Sequence, residues 1–472
     1  MTRSTTTLAL AGMHHGALRA HLYPGDGNEA VAVLACGRRD DGHKTRLTVQ
    51  EVFCIPHLAC TVRKPDQVTW PTDAIMPLLD RAADRGLTVI KVHSHPGGYD
   101  QFSSLDDSAD ALLLPLVRGW IEADVPHGSA IMLPDGRMFG RVYGSNGTAH
   151  PIDLISVAGD DLHFWFADEQ QTAIPGFTAS HAQAFDAGTI QRLQRLTFGV
   201  VGASGTGSPT VEQIVRLGAG HVISVDHDRM EERNVNRIIN STMEDVRQGR
   251  FKVDVVADAA ERLELGTKVT RFRRSLWDHD VVLAIAGCDV LFGCMDTVDG
   301  RFLLNAIATY YNIPYFDIGV RLDAIPDGPR RGTIREVCGT INYLQPGRSS
   351  LMSRGLFRMA DVAAAGLRRK DPAAHAQQVK DGYIRGVQGH RPAVISVNML
   401  ASSLAVSEFL ARLHPFREEP NGDYAAVAFS LSSMEIINDP ETDACPILKN
   451  AVGRGDIEPL VGLMDFAHGR AA

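Results

Sequence analysis

The sequence predicts an α/β protein of two domains, an N-terminal α+β domain followed by a doubly wound domain built on a parallel sheet. Three observations support this fold class. The 472 residues leave room for two or three domains of ordinary size. Residues 28–143 contain short β-rich runs with one helical stretch. From residue 196 onward, apolar strands alternate with amphipathic helices, which is typical of a parallel sheet covered on both faces. We place the first domain at 1–145, a linker or strand pair at 146–186 and the second domain at 187–472.

The composition excludes several classes of protein. Hydrophobic residues make up 44% of the chain and charged residues 22%, as in an ordinary globular protein. The formal net charge of −9 gives no basic footprint, so we expect no nucleic-acid partner. The longest apolar stretch, residues 281–295, is interrupted by Asp289 and is too short for a bilayer, so we expect no membrane partner. The seven cysteines form no Cys-x-x-Cys pair, which favours a reducing compartment and a cytoplasmic location.

The first group of residues suited to catalysis follows a predicted apolar strand. His93 and His95 alternate at strand spacing, so both imidazoles are expected on one side of the strand. Asp106 follows on the next predicted helix, which Ser103 is suited to cap. Two imidazoles and one carboxylate form a three-ligand zinc set with an open fourth position, as a catalytic zinc requires. Taken alone, histidines and an aspartate near a glycine-rich turn are more often ordinary loop polarity than a metal site.

The complete run is more specific. His-Ser-His-Pro starting at His93, then Ser103, two residues and Asp106, resembles the signature H-x-H, seven residues, S-x-x-D of the JAMM/MPN (Jab1-like) metalloprotease family. The resemblance implies a Zn²⁺ isopeptidase in which an upstream carboxylate is the general base. Glu29, before an apolar strand and a glycine, is the expected base, and Glu51 is the alternative. It also implies that Ser103 hydrogen-bonds the oxyanion of the tetrahedral intermediate, a role compatible with helix capping.

The second group of residues surrounds a glycine-rich turn between a predicted strand and a predicted helix. Gly202, Gly205 and Gly207 lie in this turn. Backbone N–H groups at the start of such a helix bind phosphates. Asp226 closes the next strand, where an acidic side chain can hold a ribose hydroxyl. The spacing G-x-x-G-x-G differs from that of dinucleotide oxidoreductases, since their pattern would place Ser204 at the glycine of closest approach.

Downstream residues favour a nucleoside triphosphate. The residues suited to contact phosphates or a metal are Asp228, Asn234, Arg237, Lys252 and Asp296. The segments G-A-S-G-T-G-S-P, D-H-D, N-V-N-R and C-M-D resemble the ThiF/MoeB family, the adenylating domain of ubiquitin-activating enzymes, over residues 186–464. In that family a carboxylate attacks the α-phosphate of ATP to give an acyl adenylate and pyrophosphate.

The resemblance assigns a role to each of these residues. It implies that Gly202, Gly205 and Gly207 bind the nucleotide phosphates and that Asp226, with Asp228 close by, binds the ribose. It further implies that Arg237 and Lys252 neutralise the triphosphate as catalytic groups, that Asn234 lies beside them, and that Asp296 binds Mg²⁺. The expected cofactors are therefore Zn²⁺ in the first domain, and ATP and Mg²⁺ in the second.

Cysteines that many members of that family use are missing here. Of four cysteines that bind a structural zinc, only Cys445 remains, so we predict no structural zinc in the second domain. No cysteine lies between Cys338 and Cys445, where a thioester-forming cysteine is expected. Three alternatives remain: direct transfer from the adenylate to a partner thiol, a thioester on Cys338, or an oxyester on a serine such as Ser350. We favour the first, because serine is a poor nucleophile without a nearby base.

The two resemblances together imply a bifunctional enzyme of a prokaryotic ubiquitin-like protein pathway, associated with antiviral defence. The expected partners are a ubiquitin-like or sulfur-carrier protein ending in glycine and a conjugating-enzyme-like protein. A homodimer through the adenylating domains is also implied, with the apolar helix 394–413 as a packing surface. The alternative is activation and trimming of a sulfur carrier for cofactor or cysteine biosynthesis. A third hypothesis is a nucleotide-binding regulatory module without catalysis.

Overall fold

A computed structural model describes residues 4–144, 146–168, 173–325, 333–381 and 393–467. The chain divides into two compact units. The first unit contains residues 1–170, 309–312 and 450–472, and the second contains residues 171–308 and 313–449. Across the described ranges, no helix combines the length and the apolar character needed to cross a bilayer.

The first unit is built on a mixed nine-stranded sheet. The strands of this unit in chain order are β1 (Thr5–Ala11), β2 (Val31–Asp40), β3 (Lys44–Cys54), β4 (Val62–Lys64), β5 (Gln67–Thr69), β6 (Thr88–Ser94), β7 (His127–Met132), β8 (Met138–Tyr143), β9 (Ala149–Pro151), β10 (Leu154–Ala158) and β11 (Leu162–Phe166). Its helices are α1 (Gly12–Leu22), α2 (Met76–Arg85) and α3 (Ser104–Trp120). The spatial order in the sheet is β11-β10-β1-β3-β2-β6-β7-β8-β9, while β4 and β5 form a separate hairpin.

Helices cover both faces of this sheet because β2 is apolar on both sides. Ala32 and Leu34 of β2 pack in one core cluster with Leu18 of α1. Val33, between them in sequence, points to the opposite face and packs in a second cluster with Leu78 of α2. Successive side chains of a strand face opposite sides, so a continuous apolar run is the pattern of a strand buried on both faces.

The sheet also includes most of the segment for which the sequence predicted a linker or strand pair. All five residues of β10 are buried, and β10 runs parallel to β1. β11 pairs antiparallel with β10, and β9 pairs antiparallel with β8. The segment 149–166 therefore supplies three strands to the first unit, whereas the sequence predicted a linker or strand pair between the domains over 146–186. The physical reason is the apolar run of β10, which is buried against β1.

A segment from late in the chain completes the first unit. Thr48 Oγ1 donates a hydrogen bond of 2.8 Å to the carbonyl oxygen of Gly453. The backbones approach closely at Gly37, where a Cβ atom would lie 2.4 Å from that same carbonyl oxygen. The sequence assigned 187–472 to the second domain, but the described residues 450–467 pack with the first unit. This pairing joins residues about 400 positions apart, beyond the reach of a local pattern.

The second unit is built on an eight-stranded sheet. Its strands are β12 (Thr197–Val201), β13 (His221–Val225), β14 (Lys268–Phe272), β15 (Val290–Gly293), β16 (Tyr315–Ile325), β17 (Thr333–Leu344), β18 (Ala426–Ser430) and β19 (Glu435–Asp439). The helices that follow α3 in the chain are α4 (Ala179–Leu193), α5 (Gly207–Arg216), α6 (Met243–Arg247), α7 (Lys252–Glu261), α8 (His279–Ala286), α9 (Val298–Tyr311), α10 (Met359–Lys370), α11 (Pro372–Lys380) and α12 (Ile395–Leu413). The spatial order is β14-β13-β12-β15-β16-β17-β18-β19.

The strand order of the second unit confirms the predicted doubly wound architecture. From β14 to β16, neighbouring strands are parallel, and β17 to β19 add antiparallel strands at one edge. The chain builds outward from β12 to β14, then returns and builds in the other direction from β15. The switch point thus lies between β12 and β15, and ligands of such sheets bind at the carboxyl ends of the strands there.

Candidate functional site

In the first unit, the end of β6 and the first turn of α3 bring two imidazoles and a carboxylate together. His93 Nε2 lies 3.1 Å from His95 Nε2 and 2.8 Å from Asp106 Oδ1. His95 Nε2 lies 3.5 Å from Asp106 Oδ2. Ligand atoms about 2.0–2.1 Å from a tetrahedral zinc lie roughly 3.3 Å from one another, so these three donors are spaced as zinc ligands are. The three residues are buried, and they fit the zinc ion that the sequence implied.

Hydrogen bonds orient two of these three ligands. His95 Nδ1 lies 2.7 Å from the carbonyl oxygen of Tyr99, a contact that requires an Nδ1–H and leaves Nε2 free to bind a metal. Burial raises the pKa of Asp106, but hydrogen bonds from His93, His95 and Ser103 outweigh it, so this pKa lies below its ordinary value. The carboxylate is therefore kept ionised, as a metal ligand must be.

Ser103 is the N-cap of α3. Its Oγ accepts a hydrogen bond of 3.2 Å from the backbone N–H of Asp106. Its own backbone N–H donates to Asp106 Oδ2 at 2.7 Å, which completes a capping box. The same hydroxyl donates to Asp106 Oδ2 at 2.7 Å. Ser103 thus holds a metal-ligand candidate in place, and its contact with an oxyanion stays a prediction.

Glu29 reaches this group from the strand beside β6. β2 pairs antiparallel with β6, with Val31 opposite His93, and Glu29 lies just before β2. A carboxylate oxygen of Glu29 and one nitrogen each of His93 and His95 all lie within 4.8 Å of one another. Burial raises the pKa of Glu29 to about 7; His95 opposes this rise and Asp106 adds to it. Such a carboxyl group can accept and return a proton near neutral pH.

Glu51, the alternative base, is placed differently. It lies on β3, is partly exposed and forms an ion pair with Arg81. Of the two candidate bases, Glu29 is therefore the one that the structure brings to the imidazoles.

A buried ionic network beside these ligands was not found from the sequence. Lys91 Nζ lies 2.6 Å from Asp110 Oδ1, and Arg141 Nη2 lies 2.7 Å from Asp110 Oδ2. Lys91 precedes His93 by two residues on β6, and Asp110 follows Asp106 by four on α3. The sequence signal was a lysine inside an apolar strand on the same side as the histidines, with an aspartate one helical turn after Asp106.

In the second unit, the glycine-rich turn lies at the carboxyl end of β12. Gly202 has φ of 99°, a left-handed conformation that favours glycine. A Cβ atom at Gly207 would lie 1.7 Å from the carbonyl oxygen of Gly202, and one at Gly205 would lie 2.2 Å from Asn398 Nδ2. Backbone geometry thus requires glycine at 202 and 207, whereas the close contact at Gly205 is with a side chain. The turn ends at the N-terminus of α5, where backbone N–H groups and the helix dipole favour an anion.

Two aspartates follow the neighbouring strand β13. Asp226 accepts hydrogen bonds of 2.8 Å from the backbone N–H groups of Ala203 and Asp228, so it ties the glycine-rich turn to the end of β13. Burial raises the pKa of Asp226, and Lys252 opposes this rise. Lys252 Nζ lies 2.6 Å from Asp228 Oδ2. The predicted residues Asp226, Asp228 and Lys252 therefore lie together beside the turn.

Arg237 and Asp296 lie on the other sides of this turn. A Cβ atom at Gly205 would lie 3.1 Å from Arg237 Cδ, so the Arg237 side chain packs against the turn. Burial and the nearby Arg233 lower the pKa of Arg237, whereas Asp296 raises it, which indicates that Arg237 and Asp296 are electrostatic neighbours. Asp296 is exposed and follows β15 across the switch point.

Asn234 has a local structural contact. It is buried, and its side-chain oxygen accepts a hydrogen bond of 2.9 Å from the backbone N–H of Glu231. It thus stabilises the turn that precedes Arg237, and a contact with the triphosphate stays a prediction.

Helix α12 contributes residues to which the sequence analysis gave no role. The side chain of Asn398 packs against Gly205, and Ser402 Oγ donates a hydrogen bond of 2.7 Å to the carbonyl oxygen of Thr206. The sequence predicted this apolar helix only as a packing surface, because a contact across almost 200 residues leaves no local pattern.

The candidate nucleophiles of the second unit are poorly suited to attack. Cys338 lies on β17, and burial and Glu336 raise the pKa of its thiol, which lowers the thiolate fraction. Ser350 is buried, and its Oγ accepts a hydrogen bond of 3.2 Å from the backbone N–H of Ser353. Cys445, which the sequence analysis considered only as a remnant of a structural zinc site, is buried, and its backbone N–H donates to the carbonyl oxygen of Arg348.

The second unit is thus an α/β domain with the features of a nucleotide-binding domain at its switch point, in a chain that also holds a zinc-type ligand set. The chain belongs to the ThiF family, whose model matches residues 178–446, more than half of the chain. Residues 13–141 match the model for prokaryotic homologs of the JAB domain. The predicted fusion of these two domain types is confirmed.

Curated relatives match shorter stretches. "Adenylyltransferase and sulfurtransferase UBA4" of Meyerozyma guilliermondii is 30% identical over 116 residues, 24% of this chain and 27% of the relative. "SAMP-activating enzyme E1" of Haloferax volcanii is 29% identical over 136 residues, 28% of this chain and 50% of the relative. "Ubiquitin-like modifier-activating enzyme 5" of Bombyx mori is 24% identical over 171 residues, 34% of this chain and 40% of the relative. The chain thus spans between 27% and 50% of the length of these relatives.

Among solved structures, E. coli MccB with succinimide aligns at 14% identity and a TM-score of 0.43, covering 58% of this chain and 74% of that chain. This similarity is too low to support a statement about the present chain.

Proposed function

We propose that the protein is a bifunctional enzyme of a prokaryotic ubiquitin-like protein pathway. The second unit adenylates the C-terminal glycine of a ubiquitin-like protein with ATP and Mg²⁺, and the first unit matures or deconjugates the same protein with zinc. The main supporting observation is that one chain holds both the ligand set His93, His95 and Asp106 and a glycine-rich turn at the switch point of a ThiF-family domain. Both sites act on the same chemical end, the carboxyl group of a terminal glycine.

The adenylation step uses the residues around the turn. The glycine carboxylate attacks the α-phosphate of ATP, a new acyl–phosphate bond forms, and pyrophosphate leaves with the bonding electrons. Backbone N–H groups at the start of α5 hold the phosphates, while Arg237 and Lys252 offset the charge that spreads over them. Asp296 supplies a carboxylate ligand for Mg²⁺, which commonly binds through one or two carboxylates and the substrate phosphates. Asp226 holds the ribose. The printed names of the relatives support this activity.

The hydrolytic step uses the residues of the first unit. A zinc ion held by His93, His95 and Asp106 would supply Lewis-acid polarisation of the scissile carbonyl and activation of water. Glu29 takes a proton from the attacking water and later returns it to the leaving amine. The Ser103 hydroxyl, which donates to Asp106 Oδ2 in the structure, turns to donate its hydrogen bond where negative charge develops on the carbonyl oxygen.

A thiol of a conjugating-enzyme-like partner attacks the acyl carbonyl of the adenylate directly; a thioester forms, AMP leaves with the bonding electrons and the thiol gives up its proton. The raised pKa of Cys338 and the burial of Ser350 support this route over an internal thioester or oxyester. We further propose a cytoplasmic homodimer that acts in antiviral defence.

A second candidate function is activation and trimming of a sulfur carrier. It is favoured by the relative whose printed name joins adenylyltransferase and sulfurtransferase. The two functions differ in the fate of the adenylate, which ends as an isopeptide on a lysine in the first and as a thiocarboxylate in the second.

Exchange of labelled pyrophosphate into ATP tests the adenylation. We expect the exchange to require a small carrier protein ending in glycine. The exchange should fall strongly in Lys252→Ala and Asp296→Ala and should be unchanged in His93→Ala. Failure of exchange with both ubiquitin-like and sulfur-carrier candidates would overturn the proposal. Mass spectrometry of the carrier then separates the two functions, and zinc-dependent cleavage of a carrier with a C-terminal extension tests the first unit.

A further inference from the structure

A cluster of buried polar side chains lies beside the end of β15 in the second unit. Asp317, on β16, is paired with Gly293, the last residue of β15, and its side chain is fully buried. Its carboxylate accepts hydrogen bonds from Arg301 Nε at 2.8 Å and from Tyr315 Oη at 3.0 Å. Arg301 Nη2 and Asn342 Nδ2 donate to its second oxygen.

The cluster holds both ends of the loop 294–297, which contains Asp296. At the start of the loop, a Cβ atom at Gly293 would lie 2.5 Å from Tyr315 Oη, so this strand end is packed directly against the cluster. At the other end, the backbone N–H of Arg301 donates a hydrogen bond of 3.1 Å to the carbonyl oxygen of Thr297. One carboxylate, Asp317, therefore fixes the strand before the loop and the first turn of the helix after it.

The cluster is held rigidly because Arg301, Tyr315 and Asn342 all hydrogen-bond the same buried carboxylate. Burial lowers the pKa of Arg301, but Asp317 raises it by more, so the guanidinium stays charged. The two-point contact between a guanidinium and a carboxylate fixes orientation as well as distance. Removing either partner leaves an uncompensated buried charge, which the surrounding structure can relieve only by moving.

We propose that Arg301 and Asp317 are positioning residues for Asp296, and that they set where this carboxylate meets the Mg²⁺ of bound Mg·ATP. The inference rests on the proposed function of the second unit. Asp296 suits this ligand because it is an exposed oxygen donor at the carboxyl end of a strand at the switch point.

Binding of Mn²⁺ as a probe for Mg²⁺, followed by electron paramagnetic resonance with saturating ATP, tests the inference without relying on catalysis. In the full-length chain, we expect Asp317→Asn to raise the half-saturating Mn²⁺ concentration about tenfold, since small misplacements of a ligand have large effects. The affinity for ATP without metal should stay within about twofold, because the glycine-rich turn is not altered. Tyr315→Phe, which removes one hydrogen bond to Asp317, should shift the Mn²⁺ concentration in the same direction by about two- to threefold.

Glu408→Gln is the matched control. Glu408 is a buried carboxylate on α12, it forms an ion pair with Arg417, and it is distant in sequence from the loop 294–297. It should lower the melting temperature while changing the half-saturating Mn²⁺ concentration by less than about twofold. If the wild-type chain binds no Mn²⁺ in an ATP-dependent way, the proposed function fails. The positioning role is overturned if Asp317→Asn and Tyr315→Phe both bind Mn²⁺ as well as the wild type does. It is also overturned if Glu408→Gln shifts the half-saturating Mn²⁺ concentration as much as Asp317→Asn does. If Asp317→Asn does not fold, Tyr315→Phe decides between these outcomes.

Discussion

Lys91 Nζ lies 2.6 Å from Asp110 Oδ1, and this buried ion pair joins the strand that holds His93 to the helix that holds Asp106. The distance between the candidate metal ligands on the strand and on the helix is therefore fixed by residues outside the candidate ligand set. Burial raises the pKa of Asp110, but Lys91, Ser129 and Arg141 lower it by more. The folded-state pKa of Asp110 thus lies below its ordinary value.

Asp110→Ala is expected to destabilise the first unit by about 3–5 kcal/mol, because it leaves Lys91 and Arg141 without their buried counter-charge. Chemical denaturation measures this change. Asp107→Ala, which removes only the exposed partner of Arg141, should cost under about 1 kcal/mol. The stabilisation from Asp110 should be fully present above its ordinary pKa and should disappear as the pH falls through its lowered folded-state pKa. Equal losses in the two variants would contradict the role of the buried pair.

His93→Ala and Glu29→Gln are expected to separate metal binding from proton transfer. His93→Ala should reduce bound zinc from one equivalent per chain to nearly none, since it removes one of three ligands. Glu29→Gln should keep zinc and lower the rate of carrier cleavage by about 10²–10⁴-fold, the usual contribution of a general base. Metal analysis and cleavage assays measure these effects, with Glu51→Gln as the control. Loss of zinc in Glu29→Gln would make Glu29 a ligand instead of a base.

Gly207→Ala is expected to abolish nucleotide binding, because its Cβ would lie 1.7 Å from the carbonyl oxygen of Gly202 and must displace the backbone. Gly205→Ala should be milder, since the close atom is the end of the Asn398 side chain. Gly366→Ala is the matched control: it lies in α10 with open space around it and should stabilise the chain by up to about 1 kcal/mol. Equilibrium binding of ATP and thermal melting check this order.

Deletion of residues 450–472 is expected to unfold part of the first unit and to reduce its zinc content. The deletion leaves the buried hydroxyl of Thr48 without its acceptor and uncovers the backbone at Gly37. Gly453→Ala should act in the same direction, because Gly453 has φ of 66° and its Cβ would lie 2.1 Å from the carbonyl oxygen of Val49. Limited proteolysis and metal analysis measure both changes. A truncated chain with full zinc content and unchanged protease resistance would refute this prediction.

The sequence predicted those parts of the sites that depend on short spacings. His93, His95 and Asp106 come together because one strand, one turn and one helix are consecutive in the chain. The glycine-rich turn was predictable because its glycines lie within six residues of one another, and the close contact of Gly207 is with the carbonyl oxygen of Gly202. Asn398 beside Gly205, and Gly453 beside Gly37, were not predictable, because a contact between distant segments depends on the fold of everything between them. The same reason explains why the sequence predicted a linker or strand pair over residues 146–186: β10 pairs with β1, which lies almost 150 residues earlier in the chain.

The contact between Thr48 and Gly453 also sets an order of events during synthesis. Residues 4–168 are synthesised well before the segment that closes over Thr48 and Gly37, because residues 171–449 lie between them. The nascent first unit therefore contains His93, His95 and Asp106 long before its sheet is fully covered. Any translation product that stops before residue 450 carries these three residues on an incompletely covered sheet.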